Sequence, residues 1–112
     1  MRRFGLIGKK LSHSFSKKYF TDKFEKEGHP DHIYDLFELE HIDSIRAVFA
    51  LPGLVGLNVT LPYKTAVIPY LSELDDRAER IGAVNVIAFS TGKPVGYNSD
   101  YFGFKNSLED WL

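Results

Sequence analysis

The sequence predicts an α/β fold: a three-layer αβα domain on a mixed, mainly parallel sheet that contains one antiparallel strand. Three observations predict it. Short apolar runs rich in β-branched and aromatic residues alternate with segments of helical period along the whole chain. Glycine, proline and small polar residues cluster where those segments meet. One such cluster, Thr91-Gly92-Lys93-Pro94, joins two runs so closely that they pair as a hairpin, which forces a strand against the common direction.

Phe4 to Ile7 reads as the first strand, ended by Gly8. Ser16 suits the N-cap of a helix running to about Gly28, with Phe20 and Phe24 one turn apart on its buried face. Gly28-His29-Pro30 breaks that helix, and Ile33 to Phe37 gives a second strand. Ile42, Ile45 and Phe49 keep helical spacing until Pro52-Gly53 stops them. Val55 to Val59 is the third strand, followed by a helical stretch interrupted near Pro69. Leu74, Ala78 and Ile81 mark the face of a further helix, and Gly82 fits the left-handed position past its end. Val84 to Phe89 and Val95 to Tyr97 are the two arms of the hairpin. Phe104, Leu108 and Trp111 give one face of a last helix.

Bulk properties exclude several classes of function. A chain of 112 residues forms one domain with a single core. Fourteen Lys and Arg stand against fifteen Asp and Glu, a formal net charge of -1. Nucleic acid and acidic membranes call for a basic face, so neither is expected as a partner. With no cysteine there is no disulfide framework, thiolate metal site or sulfur nucleophile. The four histidines are scattered, and no metal is expected. The start Met1-Arg2-Arg3-Phe4-Gly5-Leu6 lacks the apolar stretch of a signal peptide, and no run approaches the roughly 20 apolar residues of a membrane helix. A cytoplasmic location is expected.

Polar residues gather where strands end, which is where open α/β sheets bind ligands. Ser12-His13-Ser14-Phe15-Ser16 follows the first strand, and Asn58, Thr60 and Lys64 follow the third. Asn85 lies in Gly82-Ala83-Val84-Asn85-Val86, and Asn98-Ser99-Asp100 closes the hairpin. Hydroxyls, amides, a carboxylate and an ammonium together suit a small, hydroxyl-rich anion. Each residue has a plainer reading as well. Ser14, Ser16 and Asp100 suit helix caps, Asn58 and Thr60 suit a strand-end turn, and Lys64 suits a solvated surface. Asn85 is the hardest to explain that way, because an amide flanked by apolar strand residues must find a partner.

These segments resemble the shikimate dehydrogenase family, specifically its N-terminal domain. The most specific match is Asn58-Val59-Thr60-Leu61-Pro62-Tyr63-Lys64, which fits the family's N-V-T-x-P-x-K signature. His13-Ser14-Phe15-Ser16, Gly82-Ala83-Val84-Asn85 and Asn98-Ser99-Asp100 with Gly103 appear in the family's order. The resemblance implies that Ser14 and Ser16 bind the carboxylate of shikimate, and that Asn58, Thr60, Asn85 and Asp100 bond the ring hydroxyls. Lys64 and Asp100 would form the catalytic pair, in reversible NADP-dependent reduction of 3-dehydroshikimate to shikimate, a step towards chorismate and the aromatic amino acids.

The chain departs from the family pattern at Lys10 and Lys17, where proline is usual, and at Val86 and Ser99, where threonine is usual. It also contains no G-x-G-x-x-G. The expectation is therefore that residues 1–112 are the substrate-binding domain, that a C-terminal Rossmann domain carrying NADP lies outside this chain, and that the chain alone is inactive. Loss of the family's last helices would expose apolar surface and favour self-association. Three other readings stay open: a quinate/shikimate dehydrogenase, a non-catalytic module for shikimate-like ligands, and a structural or interaction domain.

Overall fold

The computed structural model describes residues 2–11, 15–28, 31–89 and 92–98. Six strands form one sheet in the order β2-β1-β3-β5-β6-β4. They are β1 (Arg2–Gly8), β2 (His32–Glu38), β3 (Leu54–Val59), β4 (Glu73–Leu74), β5 (Val86–Ala88) and β6 (Val95–Tyr97). β1 pairs parallel with both β2 and β3, and β4 pairs parallel with β6. β5 is antiparallel to both of its neighbours, β3 and β6, so it is the strand that runs against the rest. β1 and β3 are flanked on both sides and covered on both faces, which is why they read as nearly continuous apolar runs.

One face carries α1 (Phe15–Lys26). Phe20 and Phe24 come one helical turn apart and meet Phe4, Tyr34 and Val86 in an aromatic cluster. Phe20 stacks on Tyr34 with ring centroids 5.2 Å apart, and Phe24 lies 5.3 Å from Phe4. The other face is mostly aliphatic. Ile45 and Val48 from α2 (Ile45–Phe49), Ala78 from α3 (Asp76–Ile81), and Tyr63 and Val67 from the segment between β3 and β4 cover Ile7, Leu57, Val59 and Ile87. The result is the expected three layers.

Several local expectations are corrected. The helix starts at Phe15, so Ser16 lies within its first turn instead of capping it. The stretch after Pro62 is not an α-helix. It is a run of turns ending in a 3₁₀ turn, Ile68–Tyr70, because the Pro69 ring would clash with the carbonyl four residues back and offers no N–H to an α-helical ladder. A 3₁₀ turn, Ile42–Ser44, likewise begins the segment that leads into α2. Leu74 belongs to the two-residue strand β4, and Ile81 is 57% exposed, so of the three residues read as one helical face only Ala78 is buried. At the end of α3, Gly82 does take the left-handed conformation, with φ 77°. Asp75 caps its start by accepting from the Ala78 N–H at 2.8 Å. The last helix read from Phe104, Leu108 and Trp111 lies outside the described residues.

Candidate functional site

Because β5 runs against the other strands, its start lies at the same edge of the sheet as the ends of β1, β3 and β6. The backbone laces these four together. Thr60 N donates to Ile7 O at 2.9 Å, Val59 N to Asn85 O at 2.8 Å, and Asn85 N to Tyr97 O at 3.0 Å. Lys64 joins the same rim through its carbonyl, which accepts from Val84 N at 2.7 Å. The structure thus brings together four of the residues singled out from the sequence: Asn58, Thr60, Lys64 and Asn85. All four are half-buried.

The segment that carries Lys64 is fixed at several points. Tyr63 N donates to Thr60 O at 3.1 Å, closing the turn that contains the cis Leu61–Pro62 bond. The buried Tyr63 hydroxyl donates to Leu39 O, and Leu39 N donates to Gly8 O at 2.9 Å. The end of β1, the end of β2 and the Lys64 turn therefore hold one another. Opposite them, Asn98 Nδ2 donates to Ala83 O at 3.0 Å and secures the turn leading to Asn85.

α1 brings its own beginning to this rim. Its Phe24 lies 5.2 Å from the His32 ring at the start of β2, while Phe20, one turn earlier, stacks on Tyr34 in the middle of the strand. The helix thus runs back along the sheet, and its first turn, where the Ser16 backbone lies, is at the strands' carboxyl end. Ser14 and Asp100 are outside the described residues.

Two contributors went unread in the sequence. The Tyr34 hydroxyl accepts from Asn58 Nδ2 at 3.2 Å. An aromatic residue inside a strand reads simply as core, although a buried phenol needs a partner, and that need was the available signal. Gly8 is the other. A Cβ there would come within 2.6 Å of both Leu11 Cδ2 and Thr60 Cγ2, so only glycine lets the chain leaving β1 pass this close to Thr60.

The described β1–α1 junction does not fit a nicotinamide dinucleotide. Its pyrophosphate needs glycines that let the backbone approach it at a strand–helix junction. The β1–α1 junction offers the single Gly8, closed in by Leu11 and Thr60. Among the described residues, no group of His, Cys, Asp or Glu is arranged to hold a metal ion, and no helix is long and apolar enough to cross a membrane.

Comparison with known proteins agrees with this fold. Residues 6–87 match the family described as shikimate dehydrogenase substrate binding domain. A shikimate dehydrogenase (NADP(+)) of Geobacillus kaustophilus is 46% identical over 110 residues, covering 96% of this chain and 39% of that protein. A solved shikimate dehydrogenase of Peptoclostridium difficile superposes with a TM-score of 0.80 at 40% identity, over 97% of this chain and 42% of that one. One from Listeria monocytogenes, solved with shikimate and NAD, gives 0.80 at 32% identity, over 97% of this chain and 38% of that one. The chain spans about two fifths of the length of the curated relatives it matches.

Proposed function

The chain belongs to the family of shikimate dehydrogenase substrate-binding domains, and from that premise we propose that its strand-end rim holds shikimate and 3-dehydroshikimate. It would serve as the substrate half of an NADP-dependent shikimate dehydrogenase in the cytoplasm. The observation that carries this reading is the lacing of Asn58, Thr60, Lys64 and Asn85 onto one edge of the sheet, through the end of β1 and the Val84 N–H.

In this reading Asn58, Thr60, Asn85 and Asp100 bond the ring hydroxyls. Ser14 and Ser16 receive the carboxylate at the start of α1, where free N–H groups favour an anion. Lys64 gives a proton from Nζ to the ketone oxygen as that oxygen gains negative charge, and takes it back in the reverse direction. Asp100 accepts from both the ammonium and the neighbouring hydroxyl and so keeps the two in line. The hydride would be supplied by NADP, for which the single, closed-in Gly8 of the β1–α1 junction forms no cradle. Residues 1–112 alone therefore bind substrate without turning it over.

The test is a chimera in which these 112 residues replace the matching part of the Geobacillus kaustophilus enzyme. NADPH-dependent reduction of 3-dehydroshikimate is expected, and Lys64→Ala should lower kcat by roughly 10²- to 10⁴-fold. A folded chimera that turns over normally without Lys64 would remove the proton-transfer role. One that turns over no substrate at all would remove the reading.

A further inference from the structure

We infer that Tyr34 is a positioning residue for this site, holding the Asn58 amide through Nδ2 so that its Oδ1 meets the ligand. The inference rests on the substrate reading above and names a residue that reading does not use. Tyr34 is 3% exposed, on β2, two strands away from Asn58 with β1 between them. Its ring lies on Phe20 at an interplanar angle of 22°. Its hydroxyl reaches across β1 to accept from Asn58 Nδ2 at 3.2 Å.

A primary amide is nearly symmetric in shape, and turning it over exchanges an acceptor for two donors at small steric cost. Asn58 sits in a row with Leu6 on one neighbouring strand and Val86 on the other, and neither side chain can bond it. Tyr34 is the side chain that holds it, as the acceptor of the Nδ2 hydrogen bond. With Nδ2 engaged by the phenol, Oδ1 is turned towards the rim as an acceptor, and the ligand group that meets it must be a donor such as a hydroxyl. The phenol is held by Phe20 in turn, so α1, whose first turn is proposed to receive the carboxylate, also sets the amide that reads a hydroxyl. Both ends of one small ligand are thereby referred to the same helix.

The experiment is a double-mutant cycle on shikimate binding, read by calorimetry or NMR titration. Tyr34→Phe keeps the stacked ring and removes the hydroxyl. It should weaken binding about tenfold when Asn58 is present and have no further effect in an Asn58→Ala background. A residue that merely supports the fold would weaken both backgrounds alike, and that result would overturn the inference. A Tyr34→Phe protein that binds as tightly as the wild type would overturn it too. Absence of shikimate binding by the wild type would instead strike the substrate reading itself, and this inference with it. A second measurement needs no variant. In the ligand-free wild type, one Asn58 side-chain amide proton should exchange with water more slowly than the other, whereas two equally fast protons would contradict the Tyr34 contact.

Discussion

The face of the sheet under α1 and the face under α2 and α3 are filled with different chemistry. Under α1 the core is a cluster of the rings of Phe4, Phe20, Phe24 and Tyr34, and the Tyr34 hydroxyl bonds a side chain of the candidate site, Asn58. Under α2 and α3 the core is mostly aliphatic, and its buried Tyr63 hydroxyl is spent on the Leu39 backbone carbonyl. Both faces bury hydrophobic side chains, but the polar link on the first leads to a side chain of the candidate site. The second face secures the sheet and the Lys64 turn. Stability and recognition should therefore separate by face.

The largest expected effect is on the aromatic side. Phe20→Ala removes the ring that supports Tyr34 and should cost about 3–5 kcal/mol in chemical denaturation. Shikimate affinity of the folded molecules should fall with it. Leu57→Ala, fully buried on the aliphatic side, should cost about 2–5 kcal/mol and leave the affinity of the folded molecules unchanged. If both variants lost affinity equally, the two faces would not differ as described. Asp75→Ala should have the smallest effect. It removes the cap from α3, costing about 1 kcal/mol, and should not alter binding.

The same contrast explains what the sequence disclosed. Long strands buried on both faces, such as Arg2–Gly8 and Leu54–Val59, were legible because their apolar runs have no competing explanation. Phe20 and Phe24 were legible because one helical turn separates two large rings. The region from Pro62 to Leu74 was misread. Its apolar residues imitate helical spacing, while Pro69 enforces a 3₁₀ turn and a two-residue strand has no period to detect. Ser16 was misplaced by two residues relative to a cap, since α1 already includes Phe15 and a cap belongs one residue earlier.

In the site, Asn58, Thr60, Lys64 and Asn85 could be named from the sequence because polar side chains at strand ends stand out. Their convergence could not be, since it depends on β5 entering the sheet in reverse beside β3. Tyr34 was hidden for a related reason: strand pairing across β1, not sequence distance, brings its hydroxyl to Asn58.

The central claim is that the strand-end rim is a shikimate site, and a titration of the isotope-labelled chain with shikimate tests it most directly. The account predicts saturable chemical-shift changes at Asn58, Thr60, Lys64 and Asn85, weakened in Lys64→Ala and Asp100→Asn. Gly53, Leu54 and Phe89, at the opposite end of the same strands, should stay still. Shifts confined to that opposite end, or none at all in a folded sample, would contradict it.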